Sequence, residues 1–148
     1  MADKVRPVMY RPSKDEVTLT MSRFWDAQCE WSQEKFGSDD ERGPRGPLLH
    51  LKKEIDECLD NLPAALDSAG LPTPGNGLPK LHKEIVDAQF LVFDAARRSG
   101  MSFAELLVGC FSKLSVNEHR LWQTPTSDAP VEHVREDGPH DRPKPHLG

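Results

Sequence analysis

Two short acidic segments are the part of this chain best equipped to do chemistry. His50-Leu-Lys-Lys-Glu-Ile-Asp-Glu57 recurs, thirty positions on, as Lys80-Leu-His-Lys-Glu-Ile-Val-Asp87. Leu51 aligns with Leu81, Lys53 with Lys83, Glu54 with Glu84, Ile55 with Ile85 and Glu57 with Asp87. On a helix, residues three apart lie about 60° apart around the axis, so each acidic pair projects from one side. In both segments that side flanks an apolar stripe. Two such helices, packed through Leu51/Ile55 and Leu81/Ile85, would aim Glu54, Glu57, Glu84 and Asp87 into one shared space. Carboxylates at that spacing repel and need countercharge. Mg²⁺, with Mn²⁺ able to substitute, prefers oxygen ligands and shares its coordination sphere with phosphate groups. The pattern therefore predicts a Mg²⁺ site that takes a phosphorylated ligand. A di-iron centre fits less well, because neither Glu54 nor Glu84 is followed three residues later by the histidine such bundles use. A single E-x-x-E is ordinary surface decoration on a helix; two matched copies beside apolar stripes are not.

The elements that must position these acids read as helices throughout. Ser13 with Glu16, and Ser102 with Glu105, have capping-box spacing. Gly37 and Gly100 stand where helices would end, and Pro47 suits a first helical turn. These signals predict helices over about 15–36, 47–62, 79–99 and 102–121, with no strand, hence an all-α fold. The connection 63–78, with Pro72, Pro74, Gly75 and Gly77, is long for a bundle and reads as a mobile flap. From Ile85 to Ala96 the third helix is apolar nearly all round, which predicts a helix surrounded by protein. A unit this small cannot enclose it alone, so the expectation is a homo-oligomer, dimer or tetramer.

With 148 residues the chain has room for one domain plus tails. Residues 1–13 are expected to form a flexible arm, 14–122 the helical catalytic domain, and 123–148 a Pro-rich flexible tail with few apolar side chains to order it. Its histidines, His133, His140 and His146, are too irregularly spaced to suggest a metal site. The net charge of −5 argues against nucleic acid as a partner. No apolar run reaches the roughly 20 residues of a membrane span, and the start MADKVRPVMY lacks a signal peptide's apolar core. Cys29, Cys58 and Cys110 have no paired spacing and read as reduced thiols, which places the protein in a cytoplasm, the host's if a phage encodes it.

Together these features resemble the MazG-like branch of the all-α nucleoside triphosphate pyrophosphohydrolases. The resemblance rests on Glu54-x-x-Glu57 followed by Glu84-x-x-Asp87, on Glu30-Trp31-Ser32 leading to Phe36-Gly37, and on Gly46-Pro47 entering the first acidic helix. Downstream, Asp94-Ala-Ala-Arg97-Arg98 and Lys113-x-x-x-Asn117-x-x-Arg120-x-Trp122 look like the small, phage-rich subgroups. The resemblance spans about residues 21–122. It implies a four-helix MazG-like bundle that hydrolyses a nucleoside triphosphate to the monophosphate and pyrophosphate, with Glu54, Glu57, Glu84 and Asp87 as both metal ligands and catalytic residues. Water would attack the α-phosphorus in line.

Lys113, Asn117 and Arg120, at i, i+4 and i+7, are candidates to neutralise the leaving pyrophosphate, with Lys53 and Lys83 in reserve. Gln28 and Trp31 could stack on and hydrogen-bond a base, and His50 could touch phosphate or sugar. The MazZ-type subgroup of phages that use 2-aminoadenine prefers dGTP, which makes dGTP the substrate expected here. The alternatives are a non-catalytic nucleotide- or metal-binding helical oligomer, or a dUTPase or dCTPase of the same superfamily.

Overall fold

The computed structural model describes residues 13–134. The flexible arm expected over 1–13, apart from Ser13, and the tail beyond Val134, with His140, His146 and Pro139, lie outside the described residues. Four helices follow in order: α1 Lys14–Phe36, α2 Arg45–Ala65, α3 Gly77–Arg98 and α4 Phe103–Glu118. No strand occurs among the described residues, only two isolated bridges, so the fold is all-α. The chain divides into two compact units, Met1–Leu106 and Leu107–Gly148.

Local chemistry accounts for the helix ends. Ser13 Oγ accepts from the Glu16 amide while the Glu16 carboxylate accepts from the Ser13 amide, a reciprocal cap at the start of α1. Ser102 and Glu105 repeat the arrangement ahead of α4, and these bonds hold the Glu105 carboxyl below its usual range. Gly37 and Gly100 take positive φ values of 97° and 91°, which terminates α1 and follows α3 without a Cβ clash. Pro47 falls in the first turn of α2, where no intrahelical amide bond is lost. Pro63 does not stop the helix as expected. α2 runs through it to Ala65, and the Leu66 amide bonds back to the Leu62 carbonyl.

The connection from α2 to α3 is shorter than the sequence predicts, and it is closed rather than open. Asp67 Oδ1 accepts from the amides of Ala69 and Leu71, Asp67 donates its own amide to Leu71, and Thr73 bonds back to Ala65. This is a hydrogen-bonded turn, not a flap. At its end Gly77 lies so close to α2 that a Cβ there would stand 2.0 Å from the Ala64 carbonyl oxygen.

The α2–α3 seam is rotated relative to the sequence reading. On α3, Leu81, Glu84, Ala88 and Ala95 are buried on one face, with Asp94, Arg97 and Arg98 also buried near its C-terminal end, and on α2 the buried residues are Glu54 and Ala65. The acids therefore sit in the seam rather than beside it. Ile55 and Ile85, expected to pack together, are 46% and 51% exposed. Leu48, Leu59, Val86 and Val92 are exposed as well, so α3 is not covered on every side within the chain.

α1 joins α3 through aromatic contacts. Trp25 packs against Phe93 and Phe103 at centroid distances of 5.7 and 5.5 Å, and Phe24 against Phe90 and Phe93 at 6.0 and 5.9 Å. In the second unit no residue of α4 is buried; Val108, Phe111 and Leu114 all face solvent. After α4 the chain doubles back. Trp122 bridges His133, Val134 bonds to the Leu121 carbonyl, and the Trp122 indole donates to the Asn117 carbonyl.

Candidate active site

Glu54 and Glu84 meet in the α2–α3 seam, each about 6% exposed. With Asp87, one turn further along α3, they bring three carboxylate oxygens within 4.8 Å of one another. The basic side chains nearby are all peripheral. His50 Nε2 lies 2.8 Å from Glu54 Oε1, and Lys83 Nζ lies 2.7 Å from Asp87 Oδ2 and 3.4 Å from Glu84 Oε2. Both side chains are more than half exposed.

Glu57 stands outside the three. Its carboxylate pairs with Lys53 at 3.0 Å, one turn back on the same helix, and it is more exposed than Glu54. Three of the four expected acids thus converge, and the fourth is held at the rim by a local ion pair. All four still act on one point: burial first, then the charges of Glu84, Glu54, Glu57 and Asp87, push the Cys58 thiol up. The ammonium of Lys53 is raised by its hydrogen bond to Glu57, and that of Lys83 by its hydrogen bond to Asp87.

This donor set suits a hard divalent cation. It is all oxygen, it carries two buried negative charges, and no buried cation offsets them. Of the residues present, Glu54, Glu84 and Asp87 would hold such an ion, with Glu57 the nearest further carboxylate.

A cavity of about 320 Å³ opens beside the acids, lined by Trp31, Phe36, His50, Glu54, Asp87, Phe90, Leu91 and Asp94. Trp31 meets Phe36 and Phe90 edge to face, with centroids 5.3 and 5.4 Å apart. A smaller cavity of about 160 Å³ shares Phe36, His50, Leu91 and Asp94 and reaches to Arg42, Gly46, Pro47 and Arg98.

Behind these walls Asp94 anchors a buried network. It accepts from Ser32 Oγ at 2.7 Å, from Arg97 and from Arg98 Nε. Arg98 also donates to the carbonyls of Ser32, Gly37 and Arg42, which ties the end of α1 and the following loop to α3. Arg97 bridges to Asp39. Burial works against the Arg97 charge, but hydrogen bonds to Asp39 and Asp94 outweigh it and raise its pKa.

Of the remaining sequence candidates, Trp31 and His50 line the larger cavity. Gln28 does not: it is buried under α3, with Nε2 donating to the Phe90 carbonyl at 2.7 Å and Oε1 without a partner. Lys53 and Lys83 pair with acids of the site. Lys113 and Asn117 stand on α4 and Arg120 in the turn after it, all in the second unit. Sequence reasoning missed Phe90, Leu91 and Asp94 as cavity residues. Their signal was present, since they stand three, four and seven positions after Asp87, on its face of α3.

A family model described as dATP/dGTP pyrophosphohydrolase matches residues 76–141, from the turn before α3 to beyond the doubled-back segment. Residues 76–141 belong to that MazG-like family. The description is that of a nucleotide pyrophosphohydrolase family, a class of hydrolases acting on acid anhydrides. The family segment contains Glu84, Asp87 and Asp94, and it runs past Trp122, where the sequence resemblance ends. No curated protein and no solved structure matches the chain. Among the described residues no helix is long and apolar enough to cross a membrane.

Proposed function

We propose that this chain hydrolyses a purine deoxynucleoside triphosphate, dGTP first, to the monophosphate and pyrophosphate in a Mg²⁺-dependent reaction. The observation that carries this reading is the convergence of Glu54, Glu84 and Asp87, without a buried countercharge, on one side of an aromatic cavity. Acids alone suggest only a cation, and an aromatic cavity alone suggests only an apolar ligand. Side by side they fit a ligand with a polyanion at one end and a flat ring at the other.

In the bound state the ring lies against Trp31, Phe36 and Phe90, and the α-phosphate lies over the acids. Water adds to the α-phosphorus opposite the bridging oxygen, the α–β anhydride bond breaks, and pyrophosphate leaves with the electron pair. Glu54, Glu84 and Asp87 would hold the ion, and Glu57, the carboxylate at the rim, would take the proton of the attacking water. When bound, Mg²⁺ supplies neutralisation of phosphate charge and a lowered pKa for water. Lys53 and Lys83, already beside the acids, are close enough to reach phosphate oxygens. Lys113, Asn117 and Arg120 carry a pyrophosphate-binding role only by the family resemblance. A place in phage 2-aminoadenine metabolism rests on that resemblance too.

The working form is a homo-oligomer. What supports this is the row of exposed aliphatic side chains on α2 and α3, Leu48, Ile55, Leu59, Ile85 and Val86, and an α4 with no buried residue. An arm over 1–13, a catalytic unit over 14–122 and a tail over 123–148 remain the proposed domain plan.

The test is pyrophosphate release from each canonical dNTP and NTP, with Mg²⁺, with Mn²⁺ and with chelator, alongside sedimentation at micromolar concentration. Metal-dependent release led by dGTP is the expected result. Equal turnover of all bases, or dUTP or dCTP in the lead, removes the purine assignment. A monomer by sedimentation removes the assembly.

A further inference from the structure

Asp94 is more than the anchor of an arginine network. Its side chain is 8% exposed, yet it forms part of the wall of both cavities, on the face of α3 that carries Asp87. Its hydrogen bonds are unevenly shared. Oδ1 accepts from Ser32 and Arg97, whereas Oδ2 accepts only from Arg98 Nε, at 3.3 Å. A carboxylate oxygen has two acceptor positions, so Oδ2 keeps one in hand. The guanidiniums of Arg97 and Arg98 supply the countercharge for a carboxylate that shares a cavity wall with Phe36, Phe90 and Leu91. Every hydrogen bond it makes in the structure is one that it accepts.

From this geometry we infer that Asp94 reads the base, with Oδ2 accepting an N–H from a purine's exocyclic amino group. The inference rests on the proposed function, in that it places a purine nucleotide in the larger cavity with its phosphates on Glu54, Glu84 and Asp87. Asp87 and Asp94 are seven residues apart, about 10 Å along the helix, which is the scale of a nucleoside between its 5′ phosphate and the far edge of its base. An acceptor-only group at that edge favours bases that present amino donors, as adenine does at N6 and guanine at N2, and repels the flanking carbonyls of thymine and uracil. Trp31, Phe36 and Phe90 grip any base; Asp94 supplies discrimination against bases without an amino group, thymine and uracil, while cytosine, which carries one at N4, is left to the size of the cavity.

The experiment compares nucleotides that differ by one amino group, using the unaltered full chain. Equilibrium binding is measured for dGMP against dIMP, and for dAMP against the monophosphate of purine 2′-deoxyriboside. Steady-state hydrolysis is measured for the corresponding triphosphates. In the purine that binds better, loss of the amino group weakens binding roughly 10-fold or more, and the change falls on KM with kcat little altered. Asp94→Asn narrows that gap. Equal binding within both pairs overturns the inference even where hydrolysis is brisk, and so does failure of all four monophosphates to bind. If the gap is present but no triphosphate is cleaved, the base-reading role stands and the hydrolase reading falls. Should Asp94→Asn not fold, the two nucleotide pairs decide the matter on the native protein.

Discussion

α3 carries two buried carboxylate centres ten residues apart, and they are balanced in opposite ways. At Glu84 the neighbours are further acids, Glu54 and Asp87, and among the described residues the basic groups beside them are exposed ones at the rim. At Asp94 two buried guanidiniums and a buried hydroxyl close around a single carboxylate. Both centres lie inside the protein, so burial does not tell them apart. Charge balance does. A carboxylate with its own permanent countercharge holds structure together, and a group of carboxylates without one holds out for a cation from solution. The first kind stabilises the fold that presents the second.

Removing one partner at each centre should have contrary effects. The largest is expected for Arg98→Ala, which leaves Asp94 Oδ2 without its partner, removes one of the two buried guanidiniums beside that carboxylate and frees the end of α1. Breaking a buried pair costs roughly 3–5 kcal/mol, and urea denaturation at constant pH would register it. No loss of stability would mean that the two centres are not so different. Glu84→Gln does the reverse: the metal-free protein melts higher as repulsion falls, while pyrophosphate release drops at least about 100-fold. A Glu84→Gln protein that melts lower would show that the three acids are already compensated. The smallest effect belongs to Lys83→Met. Losing a rim cation leaves the net charge of the site more negative and the carboxylate repulsion less screened, so the metal-free protein melts slightly lower and Mn²⁺ binds more tightly by roughly two- to fivefold. Titration calorimetry with Mn²⁺ checks this, and unchanged affinity would place Lys83 outside the field of the site.

Much of this was legible in the sequence because it is local. Capping boxes at Ser13 and Ser102 and the glycines at 37 and 100 fix helix ends from neighbouring residues alone. The repeat at Glu54 and Glu84 survives as a spatial cluster because two helices joined by a short turn bring equivalent positions together. Three things were not legible. Which side of α2 faces α3 depends on what covers the rest, and an aliphatic stripe reads alike whether it meets its own chain or another. Ile55 and Ile85 were therefore placed in the seam that Glu54 and Glu84 occupy. Glu57 drops out of the cluster through a side-chain pairing with Lys53, a competition that spacing cannot weigh. Asp94 meets Ser32 across sixty-two positions, beyond the reach of any periodic pattern.

The absence of a side chain at Gly77 has a consequence for the spacing of the acids. Backbone touches backbone there, with no bulk to adjust, so α2 and α3 are clasped at one end and their separation further along is set by the angle they leave it. Glu54 stands about 15 Å up one arm of that clasp, and Glu84 about 10 Å up the other. The segment 67–72 can then lengthen or change its composition while the mouth of the site keeps its width, whereas one methyl group at the clasp would pry the arms apart.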